Sequence, residues 1–176
     1  MVIPLIKYQW NIIKLVLILP LISMALFSYA QPTDSLPVDP ASISVTTVQN
    51  LSFGAFTHAN AGGTVTISTN GTRSISGDVI ALNLAIPFYQ GVFDIDAPMG
   101  AIISIMNGPD ATLIGSNGGT MTVHLGSSDP VSPFTTVVTQ PQKTPVNIGG
   151  TLTVGNLSGS PPGSYTGFIY ITFNRE

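Results

Sequence analysis

The phrase Gly149-Gly150-Thr151-Leu152-Thr153-Val154 decides how the rest of the chain reads. After two glycines, threonine alternates with apolar residues. Period two marks a strand with one face toward a core and the other toward solvent. The glycine pair takes backbone geometries that residues with a Cβ avoid. The phrase returns as Gly62-Gly63-Thr64-Val65-Thr66-Ile67 and as Gly118-Gly119-Thr120-Met121-Thr122-Val123. The intervals between the copies are unequal, so there is no constant repeat length and a solenoid is not expected. Sandwich strands with threonine facing solvent are the simpler reading.

The same texture extends outward from these phrases. Short runs of Val, Ile, Thr, Leu and Phe alternate with polar residues from Ser42 onward, punctuated by Gly, Asn, Pro and Asp. The pattern predicts strands over 42–48, 51–56, 64–69, 73–79, 88–95, 101–106, 120–125, 134–138, 146–154 and 164–173. No helical period appears. Asn107-Gly108, Asn117-Gly118-Gly119 and Pro162-Gly163 supply turn chemistry, and Ala97-Pro98-Met99-Gly100 reads as a hairpin tip. The closing run from Ser164 to Phe173 is apolar on both faces, which predicts a strand covered on both sides or placed at an interface. Ile169 and Ile171 are expected to face the interior.

Residues 1–30 have the layout of a secretory signal: Lys7 and Lys14, then Leu15 to Phe27 as an apolar run, then Ser28-Tyr29-Ala30. Pro20 interrupts the run, which is shorter than the roughly 20 residues a spanning helix needs. Cleavage after Ala30 and a secreted or cell-surface location are therefore expected, with membrane contact only through the cleaved leader. Residues 31–41 form a Pro-rich linker in which Pro32, Pro37 and Pro40 each lack the N–H that a ladder requires. Residues 42–176 form a single β-sandwich domain. The segment 42–48 is expected to pair within its own sandwich, so that the domain folds as a complete unit.

Composition narrows the chemistry. The chain has 176 residues, only 7% of them charged, and no cysteine. Disulfides, Cys-based metal sites and thiol nucleophiles are excluded. Without the leader, Arg73, Lys143 and Arg175 stand against eight acidic residues, which leaves no basic footprint for nucleic acid. No G-x-S-x-G or S-x-x-K phrase occurs, and the two histidines lie in no metal-ligand pattern, so no enzyme and no cofactor are expected. His124 shares the threonine face of its strand, and both histidines read as surface residues. Asp94-Ile95-Asp96 is the weak exception. It puts two carboxylates on one strand face about 6–7 Å apart, a spacing close to that of an inverting glycosidase pair. It equally offers oxygens to calcium, with Asp78 or Asp110, or consists of two solvated carboxylates at a strand end. Arg73 reads as an exposed charge at a strand start or as the partner of Asp78.

Several phrases taken together resemble a secreted bacterial family known as domain of unknown function 4402. They are Leu51-Ser52-Phe53-Gly54-Ala55-Phe56, Gly63-Thr64-Val65-Thr66-Ile67 with Asn70-Gly71-Thr72-Arg73-Ser74 behind it, Gly119-Thr120-Met121-Thr122-Val123, Gly150-Thr151-Leu152-Thr153-Val154, and Pro162-Gly163-Ser164-Tyr165-Thr166-Gly167. The family is similar to spore coat protein U and to fimbrial subunits. The resemblance implies an immunoglobulin-like antiparallel β-sandwich, exported to the cell surface, with no catalytic residues to carry over. Self-association or contact with other surface subunits is the expected partnership, and a module binding glycans or another extracellular ligand is the alternative. Classical pilins carry a disulfide, and this chain has none.

Overall fold

In the computed structural model, residues 42–176 are described. The expected leader (1–30) and linker (31–41) lie outside the described residues. All regular elements among the described residues are strands, as the period-two texture requires. In chain order they are β1 (Ser44–Gln49), β2 (Ser52–Phe53), β3 (Phe56–Ile67), β4 (Arg73–Ala81), β5 (Phe88–Tyr89), β6 (Gly91–Asp96) and β7 (Ile102–Asn107). Then follow β8 (Ala111–Gly115), β9 (Thr120–Asp129), β10 (Phe134–Thr135), β11 (Thr144–Val154), β12 (Tyr165–Thr166) and β13 (Ile171–Arg175).

β11, which contains the GGTLTV phrase, organises the large sheet. Thr144, Val146, Ile148, Leu152 and Val154 are buried while Pro145 and Thr153 face solvent, so the expected alternation holds. One edge of β11 pairs with β9. The other edge is shared: β6 takes Thr144 to Ile148, and β3 takes Gly150 to Val154. Gly149 sits at the handover. A Cβ there would run into the Ile67 carbonyl and come within 3.1 Å of the Ser68 carbonyl carbon, so only glycine lets both strands end against one partner. The Gly62 and Gly118-Gly119 positions instead use positive φ, at 68°, 84° and 75°.

The large sheet runs β1-β6-β11-β9-β8-β12, with β3 and then β4 branching from β11. A second sheet runs β10-β7-β13, and β2 pairs with β5. All strand pairings are antiparallel. Ile95, Leu125, Val146 and Ile148 of the large sheet pack with Ile103 of β7, which closes the two layers into a sandwich. A second cluster joins Val65, Val79, Met121, Val123 and Leu152. Half-buried Leu51 and Ile169 touch both clusters.

The structure corrects the sequence reading in three places. Ala97-Pro98-Met99-Gly100 is a turn, but β6 and β7 lie in different sheets, so it is a corner rather than a hairpin tip. Buried Thr136 pins it, its hydroxyl donating to the Pro98 carbonyl at 2.6 Å and accepting from the Ala101 amide at 3.0 Å. β8 was not expected. Its Ala111 and Leu113 alternate inward, and Asn117-Gly118-Gly119 folds it back onto β9. The closing run is not one strand. β12 pairs with β8 in the large sheet and β13 pairs with β7 in the small one, so 167–170 cross between layers. The crossing leaves Phe168 83% and Tyr170 70% exposed, so the run is not covered on both sides.

Ile169 and Ile171 do pack toward the core, but each is only half-buried. Truncating either to alanine is expected to cost about 1–2 kcal/mol, below the range for a closed core. Urea denaturation of the two variants checks this. A loss within the scatter of surface substitutions would show that the crossing segment adds nothing to the core.

Candidate functional site

The half-burial of Ile169 and Ile171 has a cause. The two sheets do not meet along one side, and a groove of about 1190 Å³ opens there. One flank is Ile43, Val45 and Thr47 at β1, the last strand of the large sheet. The other is Ile171, Thr172 and Phe173 of β13, the last strand of the small sheet. The floor includes Met121, Val123 and Leu152 from the core, and Phe93, whose ring lies 5.6 Å from that of Phe173. The segment expected to pair within its own sandwich does so, since β1 is laddered to β6 from Ser44 to Gln49. The core stays open beside that strand.

Among the described residues the walls carry no carboxylate, amine or guanidinium. Their polar groups are hydroxyls of serine, threonine and Tyr165, the Asn50 amide, the His58 ring and backbone. The Tyr165 hydroxyl donates to the Pro161 carbonyl, and desolvation by burial raises its pKa above the ordinary tyrosine value. His58 is half-buried rather than on the surface. Its Nε2 lies 2.8 Å from the Ser160 carbonyl, tying β3 to the loop before β12. Buried Ser160 completes the tie, accepting from the Gly155 amide and donating to the Thr120 carbonyl.

Asp94 and Asp96 lie on one face of β6, opposite buried Ile95, and do not line the groove. Asp96 accepts from Gln140 Nε2 at 2.7 Å. Of the other acids considered for calcium, Asp78 accepts from the Ala61 amide and Asp110 pairs with exposed His124 at 2.7 Å. Among the described residues no group of three or more His, Asp or Glu side chains gathers. His124 is on the solvent side of β9, as its alternation requires.

Arg73 is neither a free surface charge nor the partner of Asp78. Its guanidinium stacks 4.2 Å over the Phe88 ring and donates to the Phe53 and Ala55 carbonyls at 3.3 and 3.2 Å. It thereby clamps β2 against β5 behind the groove wall. The signal was the aromatic and glycine around it, but pairing between β2 and β5 could not be read from spacing.

The sequence matches the model of one family, described as a domain of unknown function (DUF4402), over residues 43–174. The chain belongs to the DUF4402 family. No curated protein and no solved structure matches it. In this DUF4402 domain, two of the phrases that carry the resemblance, Leu51 to Phe56 and Pro162 to Gly167, lie wholly in the groove walls. The GGT phrases lie in β3, at the start of β9 and in β11, where their strands build the sheet behind the groove.

Proposed function

We propose that this DUF4402 domain is an exported, non-catalytic structural subunit of the bacterial cell surface, fimbria-like or adhesin-like in role. The observation that carries the reading is an uncharged apolar groove bordered by two strands that each end a sheet. Monomeric domains blunt such edges with charge or proline, whereas β1 carries neither. Apolar surface next to open edges suits contact with another subunit. Export rests on the leader pattern of residues 1–30.

The alternative is a glycan- or ligand-binding module. The groove is larger than most small-molecule pockets, and Tyr165 and Phe168 stand in its wall. Sugar recognition also needs convergent polar groups, which Asn50, His58, Tyr165 and the wall hydroxyls would have to supply.

The reading is tested on material sheared from the surface of producing cells. The chain is expected in particles much larger than the monomer by size-exclusion chromatography and negative-stain microscopy, with an intact mass beginning at Gln31. A monodisperse monomer that binds a glycan array would favour the alternative, and a mass that retains Lys7 and Lys14 would make the leader an anchor.

A further inference from the structure

We propose that the outer face of the large sheet binds a neutral polysaccharide laid across its strands. This face is on the opposite side of the sheet from the groove floor, and the inference stands whether or not the chain assembles with other subunits.

The three GGT phrases are unequally spaced in sequence, yet the ladders bring their hydroxyls into register. Thr64 of β3 lies opposite Thr153 of β11, and Thr153 lies opposite Thr122 of β9. Ser76 of β4 extends this row at one end and Thr112 of β8 at the other. Two residues along each strand, Ser74, Thr66, Thr151 and His124 form a second row. Asp110 ends it, 2.7 Å from His124 Nδ1. Within the rows, Thr64 Oγ1 lies 2.7 Å from Ser76 Oγ, and Thr66 Oγ1 lies 3.0 Å from Thr151 Oγ1. Five strands about 4.8 Å apart make each row about 19 Å long, and the two rows run about 7 Å apart. Val65, Val123 and Leu152, which alternate with these residues, are in the core, so the rows face outward.

At the β8 end the rows meet aromatic side chains. Beyond β12 the crossing segment keeps running beside β8: a Cβ on Gly167 would meet the Thr112 carbonyl, and the Gly108 amide donates to the Tyr170 carbonyl at 2.8 Å. Ile169 packs on the core, so Phe168 and Tyr170 point the other way, 83% and 70% exposed. Tyr170 stands clear of the groove walls, while Phe168 sits at the rim they share with this face.

The chemistry of the ligand follows from this composition. A solvated sheet face ordinarily carries charges of both signs. The rows hold no lysine, arginine or glutamate, and their one acid is already paired with His124. Serine and threonine hydroxyls each donate and accept, as sugar hydroxyls do. An exposed ring offers a flat apolar surface to the C–H face of a sugar. A charged polymer would find no opposite charge to pair with along the rows, and a protein partner would need an apolar centre that the rows lack.

The test mixes the protein recovered from producing cells with cellulose and with chitin, both neutral solids, and with alginate gel, a charged polymer. Cellulose or chitin is expected to deplete the chain from solution at low and high salt alike, and alginate is not. Thr153→Glu and Tyr170→Ala, both at exposed positions, are each expected to weaken retention about tenfold. Tyr170→Phe is expected to keep it, and circular dichroism checks that every variant folds. Val45→Asp, in the groove wall at a side chain 39% exposed, is expected to leave retention unchanged. No depletion by either neutral solid overturns the proposal, as does retention undiminished in both Thr153→Glu and Tyr170→Ala. Retention lost in Val45→Asp alone overturns it by placing sugar binding in the groove, and preference for alginate overturns it by making the ligand a charged one. A chain that is retained but stays monomeric on cells keeps this site and loses the assembly role. A chain that assembles on cells but is not retained does the reverse.

Discussion

Replacing Ile148 with alanine is expected to remove about 2–5 kcal/mol of stability, a large part of the roughly 5–15 kcal/mol that holds a domain of this size. Ile148 is 1% exposed and belongs to the cluster that joins the two sheets. Its strand is paired on both edges, to Gly91 and to Ser128, so the backbone has no freedom to collapse onto the missing atoms. Both the transfer of apolar surface and the unfilled cavity therefore count. Chemical denaturation checks the value against Thr153→Ala, an exposed site on the same strand that should stay within about 0.5 kcal/mol of the parent. Equal midpoints for the two variants would mean that the core is not packed where the sheets meet.

A larger effect per atom is expected from Gly149→Ala. One methyl group is added, yet it would meet the Ile67 carbonyl and the Ser68 backbone, and neither can rotate away as a side chain could. The end of β3 must separate from β11 to admit it, at about 3 kcal/mol or more. The comparison is Gly118→Ala. There the Cβ meets nothing within 4 Å, and only the positive φ of 84° is penalised, by about 1–2 kcal/mol. Thermal melts of the two variants decide between them. If Gly149→Ala melts no lower than Gly118→Ala, the two strands do not share one edge as tightly as described.

These two glycines also show what could be read in advance. The all-β class, the antiparallel layers and the outward threonines followed from period two, because alternation is local and a strand with one buried face must display it. The three GGT phrases read as strand starts, which holds for Gly118-Gly119 before β9, whereas Gly62-Gly63 and Gly149-Gly150 lie inside β3 and β11. Their roles were not legible: Gly118 and Gly119 turn a hairpin, while Gly149 makes room for a neighbour far away in sequence. The same limit explains the corner at Ala97 to Gly100, where a turn phrase does not say whether its two strands pair. The split of the closing run was hidden because Tyr165, Ile169, Ile171 and Phe173 keep one apolar period from β12 through the crossing into β13. The site was less legible still. Asp94 and Asp96 drew attention by charge, whereas the groove is built from Leu51, Phe53, Tyr165 and Phe173, which read as ordinary core. A core residue and a groove residue have the same composition, and only the missing neighbour separates them. Arg73 likewise needed the ring of Phe88, brought near by the β2–β5 pair.

The position of β11 late in the chain has a bearing on time. β3, β6 and β9 each have one early partner, in β4, β1 and β8, but during synthesis the second edge of all three stays open until Thr144 to Val154 arrives. For that interval three apolar strands each wait with one open edge, and closing that of β3 means joining segments separated by most of the domain's length. Such ordering slows folding and lengthens exposure to aggregation. A cell that makes this domain in quantity would benefit from a helper that holds those strands until the last quarter of the chain appears.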